Sequence, residues 1–97
     1  MAKASPKKAL KRPPLMKSAD RLVLKQLLGV QIKRFRLQKG LSPLQFYSLS
    51  GIDTGNLRKY ESGARMPSLP TIMIIAKALE MSHLVLLDVE FKMGEVA

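Results

Sequence analysis

Apolar residues recur at intervals of three and four along most of this chain, and that spacing predicts α-helices. The longest pattern predicts a first helix over residues 19–39, with Ser18 as its cap and Gly40 as its end. The buried stripe of this helix is Leu24, Leu28, Ile32 and Phe35. A second stripe, in a helix that begins near Leu69 after a Ser68 cap, is Ile72, Ile75, Ala76 and Leu79. These patterns indicate an all-α, compact bundle of four to five short helices.

Residues 41–63, between the two long patterns, predict two short helices joined by a tight turn. Ser42 caps the first of them, and Pro43 follows in its first turn, where a missing amide costs nothing. Gly51 ends this helix, because glycine readily takes the left-handed conformation, and Asp53 caps the second helix. The apolar side of the first short helix is expected to be Leu44, Phe46, Tyr47 and Leu49. A corner of this kind is the geometry of the DNA-binding helix-turn-helix.

The period of the pattern changes near the C-terminal end of the chain. Residues 87–93, LDVEFKM, alternate strictly between apolar and polar, which predicts a short half-buried strand. A lone strand leaves its backbone groups unpaired, so we expect the same segment of a second copy to complete an antiparallel ribbon in a homodimer. A short fifth helix over residues 82–87 is the competing account, and both hold if the strand follows the helix.

Composition narrows the classes of function. Ninety-seven residues allow one small domain, whose core is too modest to enclose a large active-site cavity. The chain has no cysteine, one histidine and no paired-carboxylate, Ser/His/Asp or glycine-rich phosphate motif, so we expect no enzyme, no cofactor and no metal site. No apolar run has the length of a secretory signal or a membrane span. We therefore expect a cytoplasmic protein without a membrane partner.

Basic charge is concentrated in the N-terminal part of the chain. Residues 1–18 carry six Lys/Arg and no acid, whereas residues 80–97 carry one lysine and four acids. With a formal net charge of +10, this distribution favours a polyanionic partner, because neutralised phosphates release counterions. We expect a disordered basic arm at residues 1–17, a folded domain at 18–88 and a C-terminal extension at 89–97. We consider three roles for the arm: a solvated tail without a partner, a segment that contacts the DNA backbone or a minor groove, and a segment that contacts a membrane surface.

A series of short matches in order resembles a known family. The matching residues are Gly29, Ile32, Arg36, Gly40-Leu41-Ser42, Gly51-Ile52, Tyr60-Glu61-Ser62-Gly63, Arg65, Pro67-Ser68 and Ile75-Ala76-Lys77-Ala78-Leu79. Through them, residues 27–87 resemble the lambda-repressor-like helix-turn-helix family, the Cro/repressor or Xre-type fold of five short helices. The resemblance implies a sequence-specific transcriptional regulator, acting as a repressor, whose third helix enters the major groove of double-stranded DNA.

The resemblance also implies which residues meet the DNA. They are Thr54, Gly55, Asn56, Arg58, Lys59, Arg65, Ser42, Lys33 and Arg34. Thr54, Gly55 and Lys59 match positions that face base edges, while Asn56 and Arg58 lie beside phosphates or flanking bases. Lys59 can donate to guanine, Asn56 can pair with adenine, and the Thr54 methyl can meet a thymine methyl. Arg65 is placed for a phosphate.

Arg36 and Glu61 match a pair that, in this family, orients the third helix on the first. We interpret them as a structural ion pair, and the alternative is that Arg36 contacts a phosphate. Breaking such a pair is costly when it is partly buried, because one charge is left without a partner.

Two residues, Pro43 and Tyr47, depart from the family pattern, and Gly55 stands at a base-facing position. Pro43 replaces a polar residue that touches the DNA backbone, Tyr47 replaces a small alanine, and Gly55 has no side chain to read a base. These three residues support an alternative, a protein-interaction module that has lost DNA reading. An antitoxin-type autoregulator that also binds a toxin or another protein partner is a further alternative. The cations at positions 33, 34, 58, 59 and 65 favour DNA binding.

Overall fold

The computed structural model of the protein describes residues 15–92 and residue 94. Its five helices are α1 (Ser18–Gln38), α2 (Pro43–Ser50), α3 (Thr54–Glu61), α4 (Leu69–Ala78) and α5 (His83–Leu86). The all-α fold predicted from the sequence is confirmed. Most of the predicted basic arm, residues 1–14, lies outside the described residues, as does Met93 of the predicted strand.

Side-chain caps define most of the helix boundaries. Ser42 forms a capping box with Gln45, because its hydroxyl accepts from the Gln45 amide at 3.1 Å while its own amide donates to Gln45 Oε1 at 2.7 Å. Ser68 caps α4 as predicted, through the amide of Thr71. The predicted cap of α1 was wrong: Ser18 is already helical, and Lys17 occupies the cap position, where its side chain makes no capping hydrogen bond to the helix.

The core lies where α1, α2, α3, α4 and α5 meet. Its fully buried members are Ile32, Phe46, Leu57, Ile72, Ile75, Ala76, Leu79 and Leu86. All four positions of the predicted α4 stripe are therefore buried. Of the predicted α1 stripe, Leu28 and Ile32 are buried, whereas Leu24 and Phe35 are half-buried.

The predicted apolar side of α2 was wrong at three of its four positions. Phe46 is fully buried, but Leu44, Tyr47 and Leu49 are 67%, 47% and 60% exposed. Leu44 and Tyr47 lie about 160° and 100° from Phe46 around the helix axis, so they turn away when Phe46 fills the core. Leu49 lies closer to Phe46 but lines an open groove beside Ile74 of α4. The Tyr47 side chain therefore points outward, which accommodates a large residue at a position where the family has a small alanine.

The predicted C-terminal strand is also wrong for the residues that the structure describes. Residues 87–92 are irregular and lie against α1, where Gln31 Nε2 donates to the carbonyl oxygens of Asp88 at 3.0 Å and Val85 at 3.5 Å. The amide of Gly94 donates to Asp20 Oδ2 at 3.0 Å. Within the predicted strand, the carbonyl of Asp88 is thus bound by a side chain of α1 and not by a second copy. The competing account holds instead, because Ser82 caps the short helix α5.

Candidate nucleic-acid interface

Helix α3 is seated on α1 through a close backbone approach. A Cβ atom at Gly29 would lie 2.5 Å from the carbonyl oxygens of both Tyr60 and Glu61, so only glycine allows the last turn of α3 to pack here. Leu57 is buried beneath the helix, and Ile52 and Tyr60 are half-buried beside it. The orientation of α3 is therefore fixed by contacts along its inner side.

Arg36 and Glu61 pair across the α1–α3 contact. Arg36 Nε donates to Glu61 Oε2 at 2.7 Å, and Nη2 donates to Oε1 at 3.0 Å, which is a bidentate arrangement. Arg36 Nη1 donates to the carbonyl oxygen of Leu41 at 2.7 Å. Each guanidinium nitrogen is bound inside the protein and the residue is only 5% exposed, so the geometry favours the structural interpretation over a phosphate contact.

The outer surface of α3 consists of four exposed residues, which we call the recognition face: Thr54, Gly55, Arg58 and Lys59. All four are among the DNA contacts that the family resemblance implies. Within residues 15–92, neither the Arg58 guanidinium nor the Lys59 ammonium has a hydrogen-bond or ion-pair partner. Asp53 caps the helix by accepting from the Asn56 amide at 2.7 Å. The face thus presents two uncompensated cations on a rigid, capped helix.

Asn56 has a different environment from the rest of the outer surface. It is half-buried, its Nδ2 donates to Asp53 Oδ2 at 3.0 Å, and its Oδ1 accepts from Arg65 Nη1 at 3.0 Å. Both ends of the amide are therefore committed inside the protein, which argues against the predicted pairing with adenine. The sequence did not indicate this network, because it depends on how the loop after α3 returns toward the helix.

A shallow notch adjoins one flank of the recognition face. It has a volume of about 180 Å³, and its walls include Lys33 of α1, Pro43 of α2 and Thr54 and Arg58 of α3. Lys33 and Arg58 are exposed here, while the Glu61 carboxylate that also lines the notch is paired with Arg36, so, within residues 15–92, two unpaired basic side chains border one concavity. Ser42 stands next to Pro43 at the start of α2, where its hydroxyl serves the capping box.

Arg34 is the predicted contact that the structure does not bring to this face. Its guanidinium carbon lies 4.8 Å from the centre of the Phe35 ring, a cation–π contact. Arg34 is also about 140° around α1 from Gly29, the residue that touches α3. Arg34 therefore belongs to another side of the molecule.

Helices α2 and α3 form a corner whose second helix is exposed and basic, and this arrangement is that of the helix-turn-helix class of proteins. Residues 32–86 match the model of the helix-turn-helix family HTH_3, and the chain belongs to this lambda-repressor-like family. The resemblance stated from the sequence is thereby confirmed.

Several characterised and uncharacterised proteins are similar to this chain. The uncharacterized HTH-type transcriptional regulator y4dJ of Sinorhizobium fredii is 33% identical over 60 residues, which cover 62% of this chain and 78% of that protein. The restriction-modification controller protein C.AhdI of Aeromonas hydrophila is 33% identical, with a TM-score of 0.61 over 66% of this chain and 96% of that one. The clp gene regulator ClgR of Corynebacterium glutamicum is 26% identical, with a TM-score of 0.63 over 66% and 83%.

Proposed function

We propose that this protein is a sequence-specific DNA-binding transcriptional regulator that inserts α3 into the major groove of double-stranded DNA. The observation that carries the proposal is the recognition face, whose two uncompensated cations project from a helix held on α1 by Gly29 and the Arg36–Glu61 pair. Similar proteins include a gene regulator and a controller protein, and the family fold supports the same role.

Base reading is assigned to the centre of the recognition face. Gly55 and Lys59 lie about 120° to 160° from Leu57 and Glu61 on the inner side of α3, which makes them its outermost line. Lys59 is then the donor for guanine O6 and N7, while Gly55 lets the helix approach the base edges closely. Thr54, at one edge of this line, offers its methyl group to a thymine methyl.

Phosphate contacts are assigned to the flanks and to the N-terminal arm. Arg58 and Lys33 meet the backbone of one strand from the notch, and Arg65 meets the backbone from the loop after α3. Residues 1–17 add six Lys/Arg, and we propose that they follow the DNA backbone or a minor groove. By occupying an operator, the protein would repress transcription on nucleoid DNA in the cytoplasm.

A homodimer is proposed to form through α4 and α5 rather than through the ribbon expected from the sequence. Both helices expose apolar side chains, Leu69, Met73 and Ile74 on α4 and Leu84 and Val85 on α5, and Leu87 is exposed at the cap that follows α5. Met73, Ile74 and His83 line one open groove, so the two helices present adjoining apolar surface. Monomers rarely expose large apolar patches, and a twofold contact would cover this one on both copies. Two α3 helices would then reach half-sites about 34 Å apart.

Sedimentation tests the dimer contact. Leu84 is 69% exposed on α5, so Leu84→Glu should leave the fold intact and shift the protein to a monomer at tens of micromolar. Leu44→Glu is the control, because it introduces the same charge at an exposed position of α2 outside this patch. This variant protein should remain a dimer. A Leu84→Glu protein that remains a dimer would show that the contact lies elsewhere. A wild-type protein that is a monomer at this concentration would contradict the dimer.

Direct binding tests the proposed function. Wild-type protein should bind a mixed pool of duplex DNA with an affinity that falls steeply as salt rises, at about −0.9 in log K against log salt for each phosphate contact. Arg58→Gln should weaken this binding, whereas Arg34→Gln, which removes the same charge, should weaken it far less, because Arg34 lies on another side of the molecule. Absence of binding at low salt would contradict the proposal.

A second candidate function is binding of a protein partner, either as a toxin-binding antitoxin or as an interaction module. The observation that favours it is the open apolar groove between α2 and α4, lined by Leu41, Leu49, Ile74 and Ala78 and rimmed by Lys77 and the Lys39–Glu80 ion pair. A Leu49→Glu variant should retain DNA binding, which would show that this groove and the recognition face have different functions.

A further inference from the structure

Asp53, Asn56 and Arg65 form a connected network on one flank of α3, which we call the positioning triad. The Asp53 carboxylate binds residue 56 twice, through its backbone amide at 2.7 Å and its side-chain Nδ2 at 3.0 Å. The opposite end of the Asn56 amide accepts from Arg65 Nη1 at 3.0 Å. The chemistry fixes the amide orientation, because a carboxylate requires the NH₂ group and a guanidinium requires the oxygen.

Arg65 is anchored on α3 at two points, although it lies in the loop that follows the helix. Its backbone amide donates to the carbonyl oxygen of Lys59 at 3.2 Å, after a turn that Gly63 permits with φ of 80°. Its side chain then reaches Asn56, which is one turn closer to the start of α3. The guanidinium is thereby carried back from the end of the helix to its first turns.

The positioning triad holds the Arg65 side chain without cancelling its charge. A single Nη1 bond to a neutral amide oxygen leaves the other guanidinium N–H groups available, and Arg65 has no acidic partner within 4 Å among residues 15–92. An exposed arginine otherwise loses side-chain entropy when it contacts a ligand. Because the Asn56 amide already orders the Arg65 side chain, less entropy is lost on binding. An acidic residue at this position would also order the side chain, but it would neutralise its charge.

The position of Asn56 on α3 indicates what Arg65 meets. Asn56 lies about 90° from the outermost line of the helix on one side, while Thr54 and Arg58 lie on the other side. A helix in the major groove, which is about 12 Å wide, has a sugar-phosphate backbone along each flank. The flank with Arg58 opens into the notch, and the opposite flank carries Arg65.

We propose that Asn56 is a positioning residue, which does not read a base but holds Arg65 against a phosphate on the flank of α3 opposite Arg58. The inference rests on the proposed DNA-binding function and assigns Asn56 a role different from the adenine contact implied by the family resemblance. Arg65 supplies the charge, Asn56 sets its position, and Asp53 sets the position of Asn56.

A double-mutant cycle on duplex DNA tests this role, with one preferred and one scrambled duplex as probes. Arg65→Ala should weaken binding to both by about tenfold and reduce the salt slope by about 0.9. Asn56→Ala should weaken both by about threefold, through the lost ordering of one side chain, and leave the slope unchanged. The Asn56→Ala/Arg65→Ala protein should bind as Arg65→Ala does, because Asn56 acts only through Arg65.

Two further variants make the cycle decisive. Asn56→Asp keeps an acceptor for Arg65 but adds a negative charge, so it should flatten the salt slope as Arg65→Ala does. Asn56→Ala combined with Lys33→Ala, on the other side of the interface, should show additive losses. The alanine variants keep the cap, because Asp53 binds the backbone amide of residue 56. Melting temperatures close to wild type would exclude a folding effect.

Alternative outcomes separate this inference from the proposed function. A loss by Asn56→Ala that is confined to the preferred duplex, or one that adds to the loss from Arg65→Ala, would overturn the positioning role. The first pattern would show that Asn56 reads a base, and the second that it acts independently of Arg65. Wild-type protein that binds neither duplex would instead overturn the proposed function, together with the inference that rests on it.

Discussion

Gly29 is the residue on which the seating of α3 depends most directly. A methyl group there would meet two backbone carbonyl oxygens at 2.5 Å, and neither oxygen can move unless α3 moves. The same residue type lowers helix propensity, which by itself would make alanine the better choice in the middle of α1. The close approach of two helices therefore outweighs local preference at this position.

Gly29→Ala should destabilise the protein despite the improvement in helix propensity. Overpacking costs up to about 3 kcal/mol, and the upper end applies here because both contacts are backbone atoms; against about 1 kcal/mol gained from alanine, the free energy of unfolding should fall by about 2 kcal/mol. Urea denaturation measures this change. Val30→Ala, at an exposed neighbouring position, is the control and should be near neutral. A Gly29→Ala protein as stable as wild type would show that the helices do not meet as described.

The Arg36–Glu61 pair should behave as a partly buried unit. Glu61→Gln leaves the Arg36 charge without its partner and should lower the free energy of unfolding by about 3 kcal/mol. The double variant Arg36→Met/Glu61→Leu should recover much of that lost stability, because no unpaired charge remains buried. The matched control is Glu80→Gln in the exposed Lys39–Glu80 pair, which should change unfolding far less. Equal effects at the two pairs, measured by urea denaturation, would contradict the structural role of Arg36.

At the scale of elements, sequence patterns predicted the parts whose geometry is set locally. The corner at α2 and α3 followed from Ser42, Gly51 and Asp53, because caps and a left-handed glycine act within a few residues. The α4 stripe was correct because Ile72, Ile75 and Ala76 share one face of a ten-residue helix and Leu79 follows directly at its C-terminal cap. Both signals are complete within the element that they describe.

The elements that were predicted wrongly depend on contacts with distant parts of the chain. In α2, Leu44, Tyr47 and Leu49 are as apolar as Phe46, and only the packing of the other helices decides which one enters the core. Residues 87–92 have the alternation of a strand, but Gln31 of α1 binds the carbonyl of Asp88 instead. The contact between Asn56 and Arg65 likewise joins positions nine residues apart, and periodicity gives no signal for it.

At the scale of the whole molecule, the arm and the folded domain should contribute to DNA binding in different ways. Removing residues 1–16 deletes five Lys/Arg and should weaken binding to every duplex alike, with a flatter dependence of log K on log salt. Replacing the same five residues by Gln at full length is the control and should act like the deletion. A truncated protein that loses sequence preference but keeps its salt slope would show that the arm reads bases.

Selection of bound duplexes from a random pool tests the central claim most directly, with wild type beside Lys59→Ala and Lys33→Ala. Wild type should enrich a defined motif, and Lys59→Ala should relax preference at one position of it, at a cost of roughly 1–3 kcal/mol. Lys33→Ala should enrich the unchanged motif with lower affinity, because a phosphate contact carries no sequence information. No enrichment by wild type, or an unaltered motif with Lys59→Ala, would contradict the insertion of α3 into the major groove.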